Sequence, residues 1–358
     1  MPAWIGGSEA DTTQVAFNNG LLDLDRNRLV DHNPLWFSPI CLPYDFSPSA
    51  TCLRWLAFLN EVFERDPERI MLLQEWFGYC LTADTSFQKC MLFYGVPGAG
   101  KGTMAEILKR VLGAENTSNV RLELMGERFQ LAETEGKLLN IADEVVQGMK
   151  FHEGVFKSFT AGEPVRIERK GHDSITAPPT ARLLMLGNEH LPFKDMSGAI
   201  ERRLLLLKFN KVPSKEDLDL KDKLSEELSG IFNWALEGRQ RLYQNSKFTV
   251  TQVGNKEKKD MTRSNNHLLS WAEDLGAYDP ACGLEDSRPS KDVYIHYKEW
   301  CDEHGIPHHQ RDAEPNLARK ARISLGLPSD WEPKRRATGD RSRVWPGFRF
   351  PRPANEYA

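Results

Sequence analysis

The sequence predicts an α/β protein: a mostly parallel sheet flanked by helices, with a helical lead-in before it and a small basic domain behind it. Three observations point there. Four short apolar runs recur at 89–95, 137–144, 181–188 and 202–209, each about the length of a buried strand. Helical spacing fills 103–113 and, after the last run, roughly 215–245. Gly and Pro cluster where one pattern gives way to the other.

The elements follow in order. Residues 15–46 read as short strands and turns, with an Asn-Gly turn at Asn19-Gly20 and several prolines. Leu53, Leu56, Leu59 and Phe63, then Ile70, Leu73 and Phe77, suit two amphipathic helices broken at Asp66-Pro67, with this stripe as core. Gly113 closes the helix over 103–113. The polar stretch 251–266 reads as a connection, and 290–305 as a helix with a basic, Pro- and Gly-punctuated remainder. The resulting parts are 1–88 (short strands, then helices), 89–212 (sheet core), 213–262 (helical extension and linker) and 263–358 (basic C-terminal domain).

Composition bounds the function. At 358 residues, 40% hydrophobic and 27% charged, the chain is a globular protein of roughly two to three domains rather than a disordered one. A mean hydropathy of -0.52 and no apolar run near about 18 residues argue against a membrane span. The first residues lack the basic start and apolar stretch of a secretory signal. Six cysteines include no C-x-x-C pair, which argues against a zinc site or a disulfide framework and for a reducing cytoplasm. The net charge of -4 divides unevenly: residues 311–352 hold 11 Lys/Arg against 5 Asp/Glu, and the remainder 36 against 46. A basic segment on an acidic body suits a polyanionic partner.

Gly95-Val96-Pro97-Gly98-Ala99-Gly100-Lys101-Gly102-Thr103 follows a strand and opens a helix, the context a phosphate-binding loop requires. Glycines let backbone N–H groups turn inward around phosphate oxygens, the helix N-terminus adds its dipole, and Lys101 supplies positive charge to the terminal phosphates of ATP. Gly95, Pro97, Gly98, Ala99, Gly100, Lys101, Gly102 and Thr103 are therefore the expected cradle. Gly102 stands where the usual pattern has a magnesium-binding Ser or Thr, leaving Thr103 as the nearest hydroxyl for Mg2+. The loop also resembles that of adenylate kinase. Such kinases carry it near the N-terminus and follow it with monophosphate and lid motifs, neither of which is found here, so a nucleotide kinase stays as an alternative.

Three further features end or precede strands. Asp143 and Glu144 close an apolar run, where Asp143 can hold magnesium and Glu144 can polarise an attacking water. Asn188 tips the next run, and its amide can bond both the γ-phosphate and that water. Arg202 and Arg203 precede the last run, where either could serve a neighbouring subunit's nucleotide as an arginine finger; Arg203 is preferred for its place beside the strand. Between these lie two alternating runs around Lys170-Gly171-His172-Asp173, a hairpin signature.

This order resembles the superfamily 3 helicases of the AAA+ class, and more closely the phage and plasmid primase–helicases related to the poxvirus helicase-primase. Phe17–Asp23 is similar to the opening of that family's pre-helicase domain, Gln74–Thr82 to its last helix before the loop, and Gly162–Val165 and Asn188–Phe209 to its later motifs. The resemblance implies an AAA+ P-loop ATPase core using ATP and Mg2+. It implies a DNA helicase that assembles as a ring of six subunits in the cytoplasm of a bacterial host. Lys170 and His172 would grip the DNA backbone from the hairpin tip. A primase is implied as a partner, upstream in a longer chain or separate. The C-terminal segment resembles a winged-helix domain in which Lys334, Arg335, Arg336, Arg341 and Arg343 could line DNA with weak sequence preference. A DNA-binding loader that uses ATP without unwinding is the other alternative.

Overall fold

A computed structural model describes residues 12–33, 36, 38–145, 149, 152–193, 198–213, 217–306, 308, 311–336 and 342–349. The chain divides into two compact units, residues 1–193 with 199–261, and residues 194–198 with 262–358.

The first unit opens with β1 (Gln14–Phe17), β2 (Gly20–Asp23), β3 (Arg28–Val30) and β4 (Cys41–Leu42), which form one sheet in the order β3-β2-β1-β4. Two helices follow, α1 (Leu53–Val62) and α2 (Pro67–Cys80). Asp66 caps α2 by accepting from Glu68 N and Arg69 N, and Pro67 sits at its first position, so the expected break falls where the chemistry places it. The stripe on α1 is corrected: Leu59 and Phe63 are buried, but Leu53 is 71% exposed and Leu56 37%, while Trp55, Phe58 and Val62 turn inward. Trp and Phe bring more apolar area than two leucines, so they decide which face is buried.

The central sheet contains β5 (Cys90–Gly95), β6 (Thr117–Ser118), β7 (Leu139–Val145), β10 (Arg182–Gly187) and β11 (Leu204–Phe209), all parallel, in the order β11-β5-β10-β7-β6. Four strands are those read from the sequence; β6, two residues long, gives no periodic signal. Helix α3 (Lys101–Leu112) follows β5 and ends at Gly113. Helix α4 (Glu153–Ala161) and the antiparallel hairpin β8 (Val165–Ile167) and β9 (Ile175–Ala177) lie between β7 and β10. Successive residues of β5 serve opposite faces. Met91 and Phe93 join a core with α1, α2 and α3, whereas Cys90 and Leu92 join one with Phe156 and Phe159 of α4.

After β11, the stretch with helical spacing forms α5 (Leu220–Ser225) and α6 (Leu228–Asn245). Helix α6 crosses α2 closely: a Cβ on Gly78 would lie 2.4 Å from Arg239 N, and one on Gly238 2.2 Å from Gln74 O. Glu75 of α2, fully buried, accepts from Arg241 Nε at 2.8 Å, Thr249 N at 2.6 Å and Thr249 Oγ1 at 2.8 Å. The expected connection at 251–266 is instead helix α7 (Gln252–Asn265). Its buried residues, Gly254, Glu257 and Met261, recur at helical spacing, but two of the three are not apolar. A Cβ on Gly254 would lie 2.6 Å from Leu206 O, so α7 covers the edge strand β11.

The second unit holds α8 (His267–Leu275), β12 (Ser287–Pro289), α9 (Ser290–Glu303), α10 (Glu314–Ser324), β13 (Lys334–Arg335) and β14 (Arg343–Arg349). Its strands form an antiparallel sheet in the order β12-β14-β13 around a core of Trp271, Tyr297, Trp331, Trp345 and Phe348. Among the described residues no helix is long and apolar enough to cross a membrane.

Candidate functional site

The loop after β5 is shaped by glycines that must be glycines. Gly95 has φ +141°, and a Cβ there would sit 1.9 Å from Phe209 O, while Val96 N donates to that same carbonyl at 3.1 Å. Gly100, at φ +92°, turns the chain into α3. The first N–H groups of this 12-residue helix then point out of its N-terminus without intrahelical partners. Ala99 is buried, Pro97 and Gly98 face solvent, and Thr103 is half-buried in the first turn. A Cβ on Gly102 would meet nothing within 4 Å.

Lys101 lies over this loop. Its Nζ donates to Gly95 O at 2.6 Å, Val96 O at 2.8 Å and Asn188 Oδ1 at 2.8 Å. Only 9% of the residue is exposed, and burial lowers its pKa. Lys101 and Asn188, 87 positions apart, are thus in direct contact. The sheet order explains it, because β10 inserts between β5 and β7 and brings its tip beside the loop. Ligands of open parallel sheets lie at the carboxyl ends of the strands where the order reverses, and this is such a place.

Asp143 and Glu144 stand at the end of β7, two strand spacings from β5, or about 10 Å. They occupy a β-bulge: Ala142 pairs with Met185 and Val145 with Gly187, so two acidic residues oppose the single Leu186. Glu144 has φ +59°, a left-handed conformation uncommon for a non-glycine residue. Its carboxylate meets Arg121 at 3.4 Å in solvent. Asp143 reaches solvent too, yet burial and then the Glu144 charge raise its carboxyl pKa, opposed by Arg121 and Lys109. No group of three or more His, Cys, Asp or Glu able to hold a metal occurs among the described residues. A carboxylate at the end of β7, with a first-turn hydroxyl of α3 and a phosphate cradle at the same end of the sheet, suits magnesium, which is ordinarily held by one or two carboxylates together with phosphate and water.

Arg202 and Arg203 lie in a 3-10 turn at the opposite end of the sheet. Leu204 is in register with Cys90 and Phe209 with Gly95, so β11 separates the arginines from the loop by about 17 Å. Arg203 is buried, with its Nη1 donating to Ala199 O at 2.9 Å, whereas Arg202 is exposed.

The hairpin forms as expected, with Val165 opposite Ala177 and Ile167 opposite Ile175. Lys170 and His172 are exposed at its tip. The flanking charges are spent internally, Glu168 on Arg128 at 2.7 Å and Arg169 on Glu135, while among the described residues neither tip side chain has an ion pair. A cavity of about 610 Å3 lies here, lined by Arg128, Phe129, Arg169, Gly171, His172 and Asp173. Phe129 belongs to this lining and to no motif. It is 41% exposed, holds φ +70°, and carries the Arg128 guanidinium 4.9 Å from its ring centroid. Only the Arg128-Phe129 pair in a polar stretch marked it. In the second unit Lys334, Arg335 and Arg343 are exposed, Arg336 Nη2 donates to Ser287 O at 3.0 Å, and Arg341 lies outside the described residues.

A model for a family of unknown function (DUF5906) matches residues 93–203, from within β5 through the paired arginines. A D5 N terminal like model matches residues 8–64. The chain is similar in fold to the apo structure of the NrS-1 C terminal region (305-718), with a TM-score of 0.52 at 15% identity over 88% of this chain and 84% of that one. The A form apo structure of the same region gives a TM-score of 0.51 at 14% identity over the same shares.

Proposed function

We propose that this chain is an ATP-driven DNA helicase of the superfamily 3, AAA+ type, acting as a ring in replication of a phage, plasmid or integrated element. One observation carries the reading. Lys101 and Asn188 meet at the carboxyl ends of parallel strands, one strand from the bulged Asp143–Glu144 pair. The D5-like match to residues 8–64 supports it by falling on the segment the resemblance assigns to the pre-helicase domain.

In this mechanism the loop N–H groups and Lys101 hold the ATP phosphates. Asp143 and Thr103 would hold magnesium, which neutralises charge on the phosphate oxygens. Glu144 polarises a water whose oxygen bonds the γ-phosphorus as the bond to the β-γ bridging oxygen breaks, and Asn188 orients that water. Arg203 or Arg202 is too far to serve its own loop and would act on the neighbouring subunit's nucleotide; Arg203 borders β11, and Arg202 faces solvent. Lys170 and His172 contact DNA phosphates, and the exposed Phe129 ring offers a base a stacking face. Lys334, Arg335 and Arg343 give a winged-helix-like second unit a further backbone contact.

The test is ATPase activity with and without single-stranded DNA, unwinding of a forked duplex, and phosphate transfer to AMP. Lys101→Ala is expected to abolish hydrolysis and unwinding, and undiminished activity in that variant would sink the proposal. DNA-stimulated hydrolysis without unwinding would indicate a loader, and phosphorylation of AMP a nucleotide kinase. Lys170→Ala is expected to keep ATPase activity but lose unwinding.

A further inference from the structure

We propose that Asn188 acts first as a latch on Lys101, competing with the nucleotide for the lysine and being released for its role at the γ-phosphate only when phosphate arrives. The inference rests on the nucleotide-site reading above and assigns Asn188 a second task at that site. An ammonium has three donors and no acceptor. All three are spent here, on Gly95 O, Val96 O and Asn188 Oδ1, at 2.6 to 2.8 Å. Among the described residues no carboxylate pairs with the lysine, whose partners there are neutral oxygens, and an anionic phosphate is the stronger partner.

Which partner gives way is decided by the surroundings. The two carbonyls belong to a backbone that cannot shift easily: Gly95 is wedged against Phe209 O, and Val96 N is bonded to the same atom. Asn188 is an exposed side chain at a strand tip, free to rotate about its own torsions. A phosphate that claims Lys101 therefore displaces the amide. The amide is then available to the attacking water only in a chain that already holds phosphate. Occupancy and completion of the site become one event.

Competition has a measurable cost to affinity. Removing the competitor should tighten phosphate binding about three- to tenfold, equivalent to about 0.7–1.4 kcal/mol. The probes are MgADP and inorganic pyrophosphate, which lack the γ-phosphate contact of bound ATP, titrated calorimetrically into the full chain. Asn188→Ala and the nearly isosteric Asn188→Leu are both expected to bind them three- to tenfold more tightly while hydrolysing ATP more slowly, a pairing that misfolding cannot produce. Unchanged or weaker binding in both variants, with Lys101→Ala still abolishing ADP binding, overturns the latch and leaves the nucleotide site standing. ADP binding that survives Lys101→Ala overturns both.

Discussion

Gly102 sits in the first turn of α3 with open space where a side chain would go and with no positive φ. Gly102→Ser should therefore fold normally and stabilise the protein by about 0.5 kcal/mol, since glycine is a poor helix residue. It should also lower the Mg2+ concentration that half-saturates the ATPase, by several-fold, because it restores a hydroxyl at the usual ligand position. Denaturant unfolding and a Mg2+ titration check the two parts. Gly95→Ala is the opposite case: its Cβ would collide with Phe209 O at a backbone angle other residues avoid, so loss of ADP binding is expected. At this scale the sequence was informative about residue types and silent about conformation. Lys101 and Asn188 were legible because strand ends and a glycine loop announce them. The bulge that holds Glu144 at φ +59° was not, because no residue in Asp143-Glu144-Val145 marks a left-handed turn. Nor could two adjacent arginines reveal that one is buried and the other exposed.

Among elements, the α2–α6 crossing tolerates no added atom at Gly78. Gly78→Ala is expected to cost about 1–3 kcal/mol, as overpacking does, seen as a lower denaturant midpoint with an unchanged slope. Glu75→Ala should cost about 3–5 kcal/mol by leaving Arg241 and Thr249 without their buried acceptor. Elements with a strong apolar period were readable, including α2, α3, α9 and the four longer strands. Helix α7 was misread because its buried face is built from Gly254, Glu257 and Met261, a pattern that hydrophobic spacing does not register. Glu257 pairs there with Lys208, the neighbour of Phe209, whose carbonyl anchors the phosphate loop. The strand β6 escaped notice because a two-residue strand has no period at all.

On the scale of the molecule, the second unit should weaken in mild acid. His296 Nδ1 accepts from Trp271 Nε1 at 3.1 Å, a bond only the neutral ring can make, and His267 Nε2 pairs with Tyr297 Oη at 2.8 Å. Burial lowers both pKa values from the usual 6.5; Arg288 adds to the effect at His296, and Asp312 opposes it at His267. The unfolded chain then takes up protons first, so stability is full above about pH 6.5 and falls below it. A melting temperature several degrees lower at pH 5.5 than at 7.5, followed by tryptophan fluorescence, is expected. The uneven charge along the chain was visible in the sequence, but which basic residues face solvent was not: Arg336 is tied to Ser287 O, while Lys334 and Arg335 are free to meet an anion.

Lys101 and the Arg202–Arg203 pair lie at opposite ends of the central sheet. If one chain's arginines complete the next chain's site, and the two groups fall on separate interfaces, then unlike surfaces meet and the contact has a direction. A pair of such chains leaves one site completed and one open, so growth continues until the last chain meets the first or a filament forms. Every site in a closed circle is then equivalent, and a lone chain has none that is whole.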